Sequence, residues 1–315
     1  MEWIKKGQIF SPAKVGEVEI THAQCPIPIL LGDTLRIYFS WRPPAAPDGQ
    51  FTSFGGFIEV DKDDPSRIFY VHNKPILELG APGDFDHYGI MPGTVIAANG
   101  SIYLYYCGWD RKVSTPYNWA IGLAISDDGG VSFRRVGKGP IIGPTNTEPY
   151  LHACPMIRIV SGLWHMWYLS GIEWRENDGH LDSIYVLMHA TSEDGLNWQR
   201  NGRVIMPQRV EHECQTSAAL LEINDQHHMW FSYRYGTDFR NPARGYRIGH
   251  GVSPDMIHWT RDDAHVGISL SEKGWDSEMQ CYPSIVTIHE KTYMFYCGNQ
   301  FGINGFGYAE LDKLA

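Results

Sequence analysis

Short apolar runs rich in aromatic residues recur along the whole chain at nearly regular intervals. Each follows another apolar run, and a pair of turn-forming residues such as Asn99-Gly100 joins the two. The five aromatic runs are 37–41, 103–109, 165–169, 228–233 and 293–297. Apolar runs separated by such pairs predict β-hairpins, and no segment shows convincing helical periodicity.

A second motif follows each aromatic run and gives the period of the repeat. Its copies begin at Gly55, Ile121, Leu187 and Ile248, with a truncated fifth copy at Gly305. Within it, Ser126 and Ser192 lie 66 positions apart, and Ser192 and Ser253 lie 61 positions apart. One period accommodates four strands, so the chain is predicted to be an all-β, five-bladed β-propeller with four-stranded blades.

The two ends of the chain are predicted to meet in one blade. The segment 3–12 has the same pattern as segments 133–144 and 198–207, which read as outer strands. The last repeat stops at 311–315 without an outer strand of its own. We therefore expect the N-terminal strand to complete the last blade and close the ring, with residues 1–315 forming a single domain.

Loop lengths predict which face of the ring carries the chemistry. The turns between the first and second strands of each repeat are short, whereas the connections from second to third strands are long. These long connections are 42–52, 110–117, 172–183 and 234–246. Long loops on a rigid scaffold are where sites are built, and the starts of the inner strands lie on the same face. We expect a polar and aromatic funnel there.

Composition narrows the class of protein. Asp and Glu number 36 against 26 Lys and Arg, a formal net charge of −10, and no basic run is present, which argues against nucleic-acid binding. No apolar stretch approaches the ~20 residues of a membrane span. The segment 1–10 lacks the features of a signal peptide, so we expect a cytoplasmic protein. The six cysteines are interpreted as free, and Cys25, Cys154, Cys214 and Cys281, which occupy similar places in the repeat, as small buried side chains near the ring axis.

The repeat resembles a known superfamily over essentially the whole chain. Five blades, the Ser-x-Asp-Gly-x-x-Trp pattern of 192–198 and inner strands opened by acidic residues are similar to the propellers of glycoside hydrolase families 43, 32, 62, 68 and 130. The segment 126–133 also resembles the Asp-box of sialidases, with Phe133 in place of Trp. The resemblance implies a carbohydrate-active enzyme without a cofactor, acting on a small-molecule or oligosaccharide ligand.

The same resemblance suggests catalytic residues by blade position. Asp86 resembles the auxiliary Asp of the second blade, and Glu148 resembles the general acid of the third. Glu213 lies in a Glu-Cys segment similar to that of family 32, although on the fourth blade. The first blade departs from the pattern, because 21–26 offers His22 and Gln24 but no carboxylate. His22 is therefore a candidate general base in place of the missing Asp.

Further candidates on the same face are expected to bind the substrate. Carboxylates serve acid–base chemistry on glycosides, and arginine side chains bind carboxylates or phosphates in bidentate fashion. The abundance of arginine on these loops suggests an anionic sugar. The candidate binding residues are Gln24, Arg42, His87, Trp109, Arg111, His152, Trp174, Glu211, His212, Arg234, Glu278 and Gln280.

Several alternatives stay open at this stage. His22, His152, His212 and Glu213 carry groups that suit a divalent metal, although no local spacing supports such a site. For function, a glycoside hydrolase-like enzyme competes with a biosynthetic enzyme that modifies an acidic or nucleotide sugar. A non-catalytic sugar-binding propeller is the third candidate, since architecture alone does not determine activity.

Overall fold

The computed structural model describes residues 1–312, which form five four-stranded antiparallel sheets with almost no helix. The first elements are β1 (Glu2–Phe10) and a small hairpin of β2 (Lys14–Val15) and β3 (Val18–Glu19). Blade I is β4 (His22–Leu31), β5 (Thr34–Arg42), β6 (Phe54–Asp61) and β7 (Ile68–Val71). Blade II is β8 (Gly89–Ala98), β9 (Ser101–Arg111), β10 (Tyr117–Ser126) and β11 (Arg134–Arg135).

The remaining three blades follow the same order. Blade III is β12 (His152–Val160), β13 (Leu163–Asn177), β14 (His180–Ser192) and β15 (Gln199–Val204). Blade IV is β16 (Cys214–Ile223), β17 (Gln226–Arg234), β18 (Arg247–Ser253) and β19 (Thr260–Arg261), followed by a 3₁₀ turn, Asp263–His265. Blade V is β20 (Cys281–Ile288), β21 (Lys291–Cys297) and β22 (Phe306–Asp312), with a short helical segment, α1 (Asn299–Gly302), between the last two.

The inner strands β4, β8, β12, β16 and β20 contact one another in cyclic order, which confirms the predicted five-bladed ring. The ring closes through β1, which pairs antiparallel with β22 from Glu2 opposite Asp312 to Phe10 opposite Phe306. The N-terminal strand thus completes blade V, as the sequence predicted. The end of the last predicted repeat, 313–315, lies outside the described residues. No helix in the described part of the protein is long and apolar enough to cross a membrane.

Every inner strand is irregular at the same place. The pairing with the second strand shifts after Gln24, Pro92, Ala153, Thr216 and Cys281. In four blades the next residue has a positive φ: Cys25 (54°), Cys154 (50°), Ser217 (52°) and Tyr282 (57°). Such bulges bend a strand and redirect its side chains, here toward the ring axis. All six cysteines are free, as interpreted from the sequence, but of the axial cysteines only Cys25 and Cys154 share this bulge position.

Neighbouring blades are joined through the turns that follow the third strands. In blade III the Ser192 hydroxyl donates to Asp194 (2.9 Å) and accepts from the Gly195 amide (2.9 Å), which shapes the turn. The Tyr105 hydroxyl of blade II then donates to the Gly195 carbonyl (2.7 Å). Tyr38 of blade I makes the same contact with the Gly130 carbonyl of blade II (2.6 Å). The repeated serine motif therefore connects each of these blades to the one before it.

Two buried histidine pairs lie at equivalent places in blades III and IV. His165 Nδ1 lies 3.1 Å from His189 Nε2, and His228 Nδ1 lies 3.1 Å from His250 Nε2. Each pair stacks against a tryptophan of its own blade. Burial, and secondarily the neighbouring histidine, lowers the pKa of both His189 and His228 to about 4. At neutral pH the imidazoles of His189 and His228 are thus uncharged in the folded protein.

Acid should therefore destabilise the fold before its carboxylates are protonated. An unfolded histidine titrates near pH 6.5, so between pH 6.5 and about 4 the unfolded protein takes up protons that the folded protein excludes. We expect the free energy of unfolding, measured with urea, to fall as the pH falls through this window. The double variant His189→Gln and His228→Gln should flatten the dependence, whereas His180→Gln, at an exposed site, should not. An unchanged slope in the double variant would contradict this assignment.

Candidate functional site

A pocket of about 620 Å³ opens at the ring axis on the face of the long loops, where the sequence predicted a funnel. All five inner strands contribute to it, together with the ends of second strands and the starts of third strands. Its polar lining includes His22, Gln24, Arg42, Thr216, Arg240 and Glu278. Its aromatic lining includes Phe51, Trp109, Tyr117, Trp119, Tyr185 and Tyr246.

Five residues predicted from the sequence line this pocket: His22, Gln24, Arg42, Trp109 and Glu278. The inner strand of blade I supplies two of them, and its second strand supplies Arg42. Sequence reasoning missed the aromatic residues at the starts of the third strands and their equivalents. Those residues are Tyr117 and Trp119 in blade II, Tyr185 in blade III and Tyr246 in blade IV. The signal was present, because a third strand that pairs with a second strand must begin on the face where the second one ends.

His22 is a neutral, buried base at the pocket wall. Burial, and then the positive charge of Arg42, lowers its pKa to about 4. Its Nδ1 lies 2.8 Å from the Thr21 hydroxyl, which donates to the backbone carbonyl of Arg42 (3.3 Å). With the Thr21 hydroxyl donating to that carbonyl, the ring proton lies on Nδ1 and Nε2 is left as an acceptor. The low pKa keeps His22 unprotonated at neutral pH and also makes it a weak base there.

Two further buried atoms in the pocket wall have no partner in the described protein. They are the carbonyl oxygen Oε1 of Gln24, an acceptor, and the indole Nε1 of Trp109, a donor. The amide nitrogen of Gln24 is already engaged by the Phe301 carbonyl. Both atoms have almost no solvent exposure, and Trp109 Nε1 packs against Gly89, so neither faces the pocket as a ready contact for a ligand.

The charge of the pocket is predominantly positive. Arg42 donates to the Ser53 hydroxyl (3.1 Å), and Arg240 lies over Phe239 (4.8 Å), but neither forms an ion pair within residues 1–312. Glu278 is the only carboxylate among the described lining residues, and it is exposed without an ion-pair partner. Two unpaired cations against one carboxylate favour a ligand with an anionic group.

The three predicted catalytic carboxylates do not line the pocket. Asp86 is fully buried and accepts hydrogen bonds from Arg135 Nε (2.8 Å) and the Tyr106 hydroxyl (2.8 Å). Arg135 comes from the outer strand of the same blade and Tyr106 from the second strand. The carboxylate therefore ties these strands of blade II together. We call such an arrangement a blade clamp: a buried carboxylate before the inner strand, paired with a cation of the outer strand.

Blade III has a clamp of the same kind around Glu148. Its carboxylate accepts from the Tyr168 hydroxyl (2.9 Å) and lies 3.2 Å from His152 Nε2 and 3.3 Å from Arg200 Nη1. Burial raises the pKa of Glu148, but hydrogen bonds from His152 and Tyr168 and the charge of Arg200 outweigh it and lower the pKa. An ionised Glu148 is poorly suited to act as a general acid.

Blades IV and V repeat the clamp with Glu213 and Asp276. Glu213 pairs with Arg261 (2.5 Å) and accepts from Gln215 Nε2 (2.8 Å). Asp276 pairs with Lys5 (2.7 Å), which β1 contributes when it closes the ring. Asp86, Glu148 and Glu213 thus occupy structural positions, and their catalytic roles stay predictions that this geometry does not favour.

The other predicted binding residues also lie outside the lining. Their contacts are as follows: His87 with the Gly80 carbonyl, Arg111 with Asp48, His152 with Glu148, Trp174 with Tyr117, Glu211 with Arg244, His212 with Glu211, Gln280 with Asp276, and Arg234 with Tyr185. The candidate metal site is not formed, since no group of three or more His, Cys, Asp or Glu residues in 1–312 is placed to hold an ion.

Similar solved structures define the class to which the fold belongs. A thermostable family-43 glycoside hydrolase matches with a TM-score of 0.66 at 14% identity, covering 96% of this protein and 91% of that one. An endo-arabinase from Bacteroides thetaiotaomicron VPI-5482 matches with a TM-score of 0.64 at 10% identity, covering 97% and 98%. A structure of the GH130 family of mannoside phosphorylases, which contains glycoside hydrolases that target beta-1,2 mannosidic linkages in Candida mannan, matches with a TM-score of 0.70 at 14% identity, covering 99% and 94%. The protein has the fold of the glycoside hydrolase propellers, which confirms the resemblance in its architecture.

Sequence similarity places the protein more narrowly. No protein-family model matches it. Two Mycobacterium tuberculosis proteins, MT1551 of strain CDC 1551 and Rv1502 of strain H37Rv, are each 32% identical over 317 residues, covering 99% of this sequence and 100% of theirs. This protein belongs to the family of these two mycobacterial proteins.

The blade clamps give a prediction that separates structural from catalytic carboxylates. Asp86→Asn leaves Arg135 without a charged partner, so we expect a loss of about 2 kcal/mol in the free energy of unfolding, at the low end for a buried pair because Arg135 is partly exposed. Asp48→Asn breaks the exposed pair with Arg111 and should change stability by less than about 0.5 kcal/mol. Urea denaturation of both variants measures the difference. Equal stability of the two would contradict the clamp.

Proposed function

We propose that this protein is a carbohydrate-active, glycoside hydrolase-like enzyme that binds a sugar in the axial pocket. The observation that carries the proposal is the composition of the axial pocket, whose wall combines aromatic rings such as Trp109 with polar side chains such as Gln24 and Arg42. Sugar hydroxyl groups both donate and accept hydrogen bonds, which suits such side chains, and the aromatic rings offer apolar faces for the sugar ring.

The chemistry in this proposal depends on His22 and Glu278. Glycoside cleavage needs one group that protonates the leaving oxygen and another that activates water or stabilises the opposite side of the sugar. His22 would accept a proton from water or from a sugar hydroxyl through Nε2, and Glu278 would be the second acid–base group. Asp86, Glu148 and Glu213 would then support the blades that position these two residues.

We further propose that the substrate is an acidic or phosphorylated sugar. Arg42 and Arg240 reach the pocket without carboxylate partners among the described residues, and a ligand carboxylate or phosphate would supply one. An activated sugar, such as a nucleotide sugar of a biosynthetic reaction, belongs to the same chemical class. A neutral oligosaccharide would leave both arginines uncompensated.

A second candidate function is sugar binding without catalysis. It is favoured by the presence of only one carboxylate, Glu278, among the described lining residues, whereas most glycosidases use two. The two candidates make the same prediction for binding and different predictions for turnover.

Binding and turnover can be separated by one set of variants. The binding experiment is a thermal-shift screen of neutral oligosaccharides, acidic sugars and nucleotide sugars, followed by product analysis for each ligand that raises Tm. His22→Gln and Glu278→Gln should each lower kcat about 100-fold while Kd changes only a few-fold. His258→Gln, distant from the pocket on the turn before β19, serves as the matched histidine control.

The pH profile gives an independent check on His22. A base acts in its unprotonated form, so activity should be lost as the pH falls through about 4. Binding with no detectable product for any ligand would favour the non-catalytic function. A screen in which no sugar raises Tm would contradict the proposal as a whole.

A further inference from the structure

Arg234 is a buried cation that has no carboxylate partner in the described part of the protein. It ends β17, is only 5% exposed, and its guanidinium lies 3.7 Å from the ring centroid of Phe239. Its Nη1 donates to the Tyr235 carbonyl (2.8 Å), and its Nε donates to the Tyr185 hydroxyl (3.2 Å). Burying a charge without an opposite charge is costly, and the buried Arg261 of the same blade avoids that cost by pairing with Glu213.

The phenol that accepts from Arg234 is linked to a second phenol. The hydroxyl groups of Tyr185 and Tyr246 are hydrogen-bonded to each other, and both side chains line the axial pocket. Arg234 itself does not line the pocket. Its charge therefore reaches a ligand through the two tyrosines rather than by direct contact.

The two phenols share one hydrogen bond, so one of their two hydroxyl protons has no acceptor among the described residues. A guanidinium only donates, so the Tyr185 oxygen accepts from Arg234. When Tyr185 donates to Tyr246, the three groups form consecutive hydrogen bonds that strengthen one another, whereas the reverse direction makes the Tyr185 oxygen accept twice. The consecutive arrangement, which we call the relay, leaves the Tyr246 proton for the pocket.

We propose that Tyr246 is a specificity-determining residue that donates a hydrogen bond to an anionic oxygen of the ligand, and that Arg234 is a positioning residue acting through Tyr185. The inference rests on the proposed function, because it requires a ligand in the axial pocket. Consecutive hydrogen bonds polarise one another, and a cation at the start of the relay strengthens the final donor. An anionic oxygen gains more from such a donor than a neutral hydroxyl does.

The proposal also gives a role to an arginine that is buried without a carboxylate partner in the described part of the protein. An anionic ligand would supply the missing negative charge from the pocket side, at the far end of the two phenols. A carboxylate placed next to Arg234 would cancel that field before it reached the ligand. The lack of an ion pair is thus the feature that makes the site selective for an acidic group.

The binding test compares sugars that differ only in one carboxylate. The probes are methyl glucuronide and methyl galacturonide with their neutral parents, methyl glucoside and methyl galactoside, titrated by calorimetry. Tyr246→Phe should weaken binding of the acidic probes at least tenfold and change binding of the neutral ones less than threefold. Equal losses for acidic and neutral probes, or no loss, would overturn the proposal.

Two further variants distinguish a positioning role of Arg234 and Tyr185 from a role in packing alone. Tyr185→Phe interrupts the relay without removing Arg234, and Arg234→Lys keeps the charge without the Nε donor. Each should lower the preference for acidic probes, and neither should lower it further in a Tyr246→Phe background, because the effect passes through Tyr246. Tyr168→Phe, which removes a buried hydroxyl from the Glu148 clamp, is the matched control and should leave that preference unchanged. Additive effects in the double variants would count against the relay.

A measurement without ligand separates failure of this inference from failure of the proposed function. Proton NMR of the free protein should show slowly exchanging hydroxyl protons of Tyr185 and Tyr246, assigned by their loss in the two Phe variants. Arg234→Lys should shift the Tyr246 hydroxyl resonance, and the shift should be smaller in a Tyr185→Phe background. An unshifted Tyr246 resonance would overturn the relay even if sugars bind, and a shifted one would support it even if none of these probes binds.

Discussion

The blade clamp is the interaction on which the rest of the structure depends. In blades II to V a carboxylate that precedes the inner strand is buried and paired with a cation from the outermost strand of the same blade, as Asp86 is with Arg135. Removing one partner of such a pair leaves an uncompensated buried charge, so the pair couples the inner and the outermost strand of its blade. In blade V the cation is Lys5, and the same interaction therefore also closes the ring.

The clamps determine which charged side chains are available to the axial pocket. Because the clamp carboxylates are engaged within the blades, the axial pocket is built mainly from arginines, aromatic rings and a neutral histidine, with Glu278 as the one carboxylate among its described lining residues. Its unpaired charges are mostly positive, although the formal net charge of the protein is −10. The unpaired charge at the axis thus has the opposite sign to the net charge of the protein, and under the proposed function this local field would favour an anionic ligand.

The fold could be predicted from the sequence because the repeat constrains it at several levels. The spacing of Ser126, Ser192 and Ser253, the hairpin turns and the outer-strand pattern of 3–12 all require five blades and a closed ring. The position of the pocket followed from loop lengths for the same reason. These features depend on local patterns that occur in several copies. The interpretation of one copy can therefore be tested against the others.

The candidate site could be predicted only in part, because sequence does not show which way a side chain faces beside a bulge. Asp86 and Glu148 precede inner strands as expected, yet they point into their blades, where Tyr106 and Tyr168 hold them. The tyrosines were visible in the aromatic runs, but their pairing with a carboxylate required the register between strands. Phe39 occupies the equivalent place in blade I, which has no carboxylate, and Phe231 occupies it in blade IV, where Gln215 donates to Glu213 instead.

Blade I has no clamp among the described residues, and it supplies His22, Gln24 and Arg42 to the axial pocket. Without a clamp, Phe39 packs against Phe10 and Phe306, and the start of the inner strand is not fixed by a buried ion pair. His22 then lies opposite Arg42, in the register that places Cys214 opposite Arg234 in blade IV. Equivalent positions of two non-adjacent blades thus present one arginine directly to the pocket and another through two tyrosines. The five blades are similar, but the site is asymmetric, because the residue at a repeated position has to fit only the packing of its own blade.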